Sequence, residues 1–275
     1  MQHPAPATVS TSLPARMRAW LLGAWQQARP AQRLGYLVGG ALILVGLGHL
    51  AAWLVVGGAW AGPVSLRKPT TFGISFGLTT ITLAWVTGHL RITDRTRWLL
   101  LGPLAAATSY EVAWVSIQHA RGTPAHFNDT TPLDERLFVA GAVMVAIAIA
   151  VIATMTLIAF LSTTAPAPMA VAIRWGLVGL LAAQVTGVWM LGHGLALLDA
   201  DADPTTQSMS TWGAAGSMKF AHAVPMHAIQ VLVALAGLLS LSGRSQRRQT
   251  QLVALAVVGY GGLFAVALGR TSFGL

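Results

Sequence analysis

From about residue 35 to residue 269 the chain is a succession of apolar runs, each roughly 20 residues long, separated by short segments that hold most of its charge. That is the length an α-helix needs to cross a hydrocarbon core of about 30 Å. Composition agrees with this reading. Of the 275 residues, 55% are hydrophobic and 9% charged, with a mean hydropathy of +0.64, whereas a soluble domain carries about 25% charged residues. The runs are rich in Leu, Ala, Val and Gly and lack the alternation of a barrel strand. Helices are therefore the way to pair every backbone group inside lipid. The expected fold class is all-α, a polytopic transmembrane helical bundle of about seven spans. The spans are placed near 35–58, 71–90, 98–118, 137–161, 173–197, 225–242 and 251–269.

Residues 1–33 read as a cytoplasmic leader, and residues 34–275 as one transmembrane domain. The leader is too long and too polar, and lacks the small-residue cleavage site, for a removable signal peptide. Its segment Ser12 to Gln27, with Arg16, Arg18, Trp20 and Trp25, reads either as an interfacial helix or as a solvated tail. The net charge of +9 lies in the interhelical segments and not on an amphipathic face, so nucleic acid is not the expected partner. Positive-inside topology accounts for it. Eleven of the 17 basic residues (Arg16, Arg18, Arg29, Arg33, Arg91, Arg95, Arg97, Arg174, Arg244, Arg247 and Arg248) fall on the side of the N-terminus, which is expected to be cytoplasmic in a bacterial inner membrane. Cysteine is absent, which removes disulfides, thiolate metal sites and cysteine nucleophiles.

The polar chemistry gathers on the opposite side. The third span ends in Glu111 through Gln118, Arg121 and Gly122, and runs into His126, Phe127 and Asn128. Glu111 is the one carboxylate placed inside a span, and a carboxylate in lipid is costly unless neutralised or paired. It is read as a functional group, with Arg121 or Arg67 as its structural partner in the alternative reading. Gln118, seven residues on, projects from nearly the same helix face. His193 lies near the end of the fifth span, and His222, Pro225, His227 and Gln230 open the sixth, with Pro225 in a first helical turn. Arg67 and Lys68 precede the second span. Convergence at one depth assigns Glu111, Arg121 and His126 to catalysis and Arg67, Lys68, Gln118, Asn128 and Gln230 to substrate binding. It assigns His193, His222 and His227 to a metal. His3, His49 and His89 fall outside this group.

His222 and His227 are five apart and so lack the spacing that chelates zinc from one helix face; a kink at Pro225 would be needed. Asp199, Asp201 and Asp203 open like a calcium loop, but Pro204 and Ser210 replace the turn glycine and the bidentate Glu, leaving a solvated loop. The combination of Glu111, Gln118, Arg121-Gly122 and His126-Phe127-Asn128 with Arg67-Lys68-Pro69 and His222, His227 and Gln230 resembles an uncharacterised family of bacterial polytopic integral membrane proteins. That resemblance implies a family shape and no activity.

Three function classes follow. One is redox or hydrolytic chemistry with a transition metal or haem b, for which His193 and His227 are the bis-His pair. Another is a proton-coupled transporter of an anionic substrate, with Glu111 titrating and Arg67, Lys68 and Arg121 attracting the anion. The remaining class is a sensor or a subunit bound to a membrane partner. The lipid bilayer and a small-molecule or lipid substrate are the other expected partners.

Overall fold

In the computed structural model, residues 23–60, 62, 64–200 and 219–273 are described. Asp201, Asp203, Pro204, Ser210 and most of the leader lie outside them. The described chain is built from α-helices joined by short connections, in the order α1 (Pro30–Val56), α2 (Arg67–Val86), α3 (Asp94–Ala120), α4 (Pro132–Ser162), α5 (Ala167–Ala200), α6 (Lys219–Met226), α7 (Ala228–Ser240) and α8 (Gln246–Phe273). Because α6 and α7 form one broken pass, the described helices make seven passes, whose ends alternate between two faces. The face carrying Pro30 is called here the N-terminal face, and the other the distal face.

Six passes are long and apolar enough to cross a membrane. The seventh, α3, spans about 40 Å at 1.5 Å per residue. Its apolarity is diluted by Thr108, Tyr110, Glu111, Ser116, Gln118 and His119. Its neighbours α1, α2 and α4 shield it, and Glu111 and Gln118 are 3% and 0% exposed. Conversely, Val55, Leu161, Val185 and Val258 are exposed on the outer surfaces of their helices. Such surfaces suit lipid contact, since apolar groups there lose nothing by facing hydrocarbon. The protein is thus a multi-pass membrane protein.

Local chemistry sets the helix ends. Pro30 and Pro132 occupy first turns, where a missing N–H costs nothing. Thr93 and Thr131 cap α3 and α4 by accepting from Thr96 N at 3.1 Å and Asp134 N at 3.2 Å. Gln32 accepts from Arg29 N at 3.0 Å and donates to the Ala84 carbonyl at 3.1 Å, tying the start of α1 to the end of α2.

The α1–α2 hairpin packs backbone to backbone. Gly35 and Gly39 are four apart, as are Gly73 and Gly77, and the two pairs lie on facing sides. A methyl group at Gly77 would stand 2.5 Å from the Gly39 carbonyl oxygen, and one at Gly73 would stand 2.6 Å from the Gly46 backbone. Small residues at such spacing let helices approach where no hydrophobic effect drives them together. The main core, Leu83, Leu101, Leu104, Met155, Leu177, Leu180 and Ile229, is fully buried and fills the N-terminal half of the bundle.

The sixth pass departs from expectation. It begins at Lys219, so Pro225 lies inside it and not in its first turn, and it breaks at His227. Proline removes one helical hydrogen bond and crowds the preceding turn. Carbonyls around the break meet side-chain donors. Tyr260 Oη donates to Val224 O at 2.9 Å. Gln230 Nε2 faces the Met226 and His227 carbonyls at 3.3 and 3.2 Å, while its Oε1 accepts from Thr79 Oγ1 at 2.9 Å. In lipid, a broken helix is tolerated when its backbone groups are satisfied in this way.

Candidate functional site

Three elements meet near the distal face: the first turns of α2, the last turns of α3, and the loop 121–131 that joins α3 to α4. Lys68, half-buried, lines a small cavity with Ser65, Val115, His119, Thr123 and Ala125, with room for about one water molecule. Lys68 interacts electrostatically with Glu111, His126, Arg67 and Lys219. Among the described residues, Lys68 and Glu111 form no ion pair within 4.0 Å. Their interaction runs across α2 and α3 without an ion pair.

Around them, five buried side-chain atoms have no hydrogen-bond partner among the described residues: Thr70 Oγ1, Glu111 Oε1, Trp114 Nε1, His119 Nδ1 and His126 Nδ1. Buried polar groups are paired in the great majority of cases, and each exception costs about 1–3 kcal/mol. All five belong to α2, α3 or the loop that joins α3 to α4. The His126 ring stacks on Trp114 with centroids 4.7 Å apart and meets Phe72 edge-on at 5.6 Å. Burial, helped by the Lys68 charge, pulls His126 well below the usual imidazole range, so the ring is neutral at neutral pH.

The loop carrying His126 braces itself. Asn128 donates to the Pro124 carbonyl at 2.9 Å and accepts from Thr130 N at 3.2 Å and Thr130 Oγ1 at 2.7 Å. Its amide is therefore engaged within the loop and not turned to the cavity. Phe127 takes a left-handed φ of 55°, costly for a large side chain, and its ring closes over Gly194 at the end of α5. A side chain at Gly194 would collide with that ring.

Gln118 and Arg121 serve a different contact from the one their spacing implied. Gln118 donates to Asp134 Oδ1 at 2.7 Å and accepts from Arg121, and Arg121 donates to the same Asp134 oxygen at 2.5 Å. Thr131 Oγ1 donates to the other Asp134 oxygen at 2.5 Å. This clamp fastens α3 to α4. Arg121 is therefore not the partner of Glu111: the carboxylate it pairs with is Asp134. Gln230 is engaged at the α6–α7 break with Thr79.

The expected histidine ligand cluster is not assembled. Among the described residues, no group of three His, Cys, Asp or Glu could hold a metal ion. The kink at Pro225 is present, but the His222 ring lies 2.8 Å from the Ala183 carbonyl through Nδ1 and packs over Gly187. His193 is exposed on α5, and His227 is half-buried at the break.

Sequence reasoning missed three members of the region. Trp114 and Thr70 are not among the candidates that the sequence singles out. His49, placed outside the polar group by the sequence, lies 3.1 Å from Ser116 Oγ through Nε2. The signal for these is tertiary, since each depends on which face of α1, α2 or α3 turns inward.

Fold and site together define a multi-pass helical membrane protein with a half-buried lysine and a buried glutamate on its distal side. No family model, no curated protein and no solved structure matches the chain.

Proposed function

We propose that this membrane protein binds an anionic small molecule or lipid headgroup at its distal face, with Arg67, Lys68 and Lys219 attracting the anion and Glu111 exchanging a proton as it binds. The observation that carries the reading is Lys68 opposite Glu111, ringed by unpartnered polar atoms of Thr70, Trp114, His119 and His126. Buried ionisable groups in a membrane bundle are expensive, and they mark substrate sites or proton relays. The three cations supply the attraction, and neutral His126 offers a ring nitrogen to donate or accept. The apolar core closes the N-terminal half, so the site communicates with one side in this conformation. By the distribution of basic residues, that side is the outer one.

The test uses purified protein in nanodiscs with inorganic phosphate and acetate as probes. Stabilisation by an anion, together with proton uptake or release reported by a pH-indicator dye, is the expected result. Glu111→Gln should abolish the proton signal and keep the stabilisation, and Lys68→Met should remove both. An anion effect that persists unchanged in Lys68→Met refutes the reading.

A further inference from the structure

Away from the distal site, α5, the α6–α7 break and α8 enclose a cleft of about 560 Å³. This is within the roughly 300–1,000 Å³ of small-molecule sites. Val171, Trp175, Val178, Leu232, Val258 and Phe264 line it, and its surface is overwhelmingly apolar. It runs along the helices at membrane depth. Its polar landmark is the Tyr260 hydroxyl, which is already bonded to the Val224 carbonyl.

The N-terminal end of this cleft is positive. Both α5 and α8 begin on that face, so the positive ends of two helix dipoles lie on the side of the opening, with the Arg248 N–H of α8 capped by Ser245 Oγ. Arg247 lies 7, 11 and 14 residues before Ala254, Val258 and Gly261, which places it on the same face of α8 as these three lining residues, about 10 Å nearer the surface than Ala254. Arg244, Arg247 and Arg248 are exposed, and among the described residues their guanidinium groups form no ion pair.

An apolar slot along the bilayer with a cationic mouth at the headgroup level has the charge and shape of one occupant. We infer that the cleft holds an acyl chain of an anionic phospholipid, with its phosphate at Arg247 and the two helix N-termini. A basic residue near an anionic membrane surface adds about 1 kcal/mol, equivalent to about a fivefold preference. The site is independent of the distal one.

The experiment reconstitutes the full chain with diazirine-bearing phosphatidylglycerol or phosphatidylcholine and maps the photo-crosslinks by mass spectrometry. Crosslinks concentrated on α5, α7 and α8 lining residues, with about a fivefold excess for phosphatidylglycerol, are expected. Ala254→Trp, at an exposed lining position, should remove them, whereas Arg247→Glu should keep the crosslinks and erase the headgroup preference. Labelling spread evenly over α1, α4 and α8, or equal labelling by both lipids in the unaltered protein, overturns the assignment. Thermal unfolding of each variant distinguishes loss of the cleft from loss of the fold.

Discussion

Lys68 and Glu111 are each tolerable in a membrane bundle because the other is near, and this makes their energetics non-additive. Removing one leaves the other uncompensated, a larger loss than removing both. Lys68→Met and Glu111→Gln should each lower the unfolding temperature more than the double variant does. Because the two form no ion pair, the coupling should fall at the low end, about 0.5 kcal/mol, of the range that interacting groups show. Additive effects in a double-mutant cycle would show that the two charges act separately. His126 gives a pH dependence of definite sign. The folded ring resists protonation, so the unfolded chain takes up more protons as the pH falls below the ordinary value of 6.5. Stability is therefore intact above that value and lost as the pH drops towards the folded one. His126→Phe retains a ring against Trp114 without the titration. Its unfolding temperature should fall less between pH 7.5 and pH 5 than that of the unaltered protein.

Among the elements, the α1–α2 seam tolerates the least change. Gly77→Val places atoms against the Gly39 backbone, and backbone cannot move aside as a flexible side chain does. The expected loss is at least the roughly 1–3 kcal/mol of an overpacked core. Gly259→Ala, with nothing within 4 Å of the added carbon, should be neutral or slightly stabilising. Unfolding of both variants in the same detergent checks the contrast; equal effects would mean the seam is loose. The number and position of the passes were legible in the sequence, because lipid demands long apolar runs whatever packs against them. The α6–α7 break was foreshadowed by Pro225, but its position inside the helix was not. That depends on Tyr260 and Gln230 supplying donors from other turns. Glu111 stood out because charge is rare in spans, and Lys68 because it lies with Arg67 just before the second span. The diversion of Gln118 and Arg121 to Asp134 was hidden, since it requires the fold of the loop 121–131.

For the whole molecule, an odd number of described passes puts Pro30 and Phe273 on opposite sides. With no native cysteine, single-cysteine variants report topology without background. A cysteine at Ser242 should be labelled from the cytoplasmic side and one at Thr123 from the outside. Labelling of both from one side contradicts seven passes. Most of the basic charge lies on one face and most of the unsatisfied polar atoms on the other, so anchoring and chemistry are separated by the thickness of the bundle. The glycine seam also acts as an index mark. Because α1 and α2 mesh backbone to backbone, the rotation of α2 is fixed, and one residue added between Lys68 and Gly73 would turn Lys68 by about 100° around the helix. The site can then tolerate length changes in the 57–66 connection but not within the next turn and a half, and the gap between Lys68 and the first seam glycine works as a fixed gear ratio between scaffold and site.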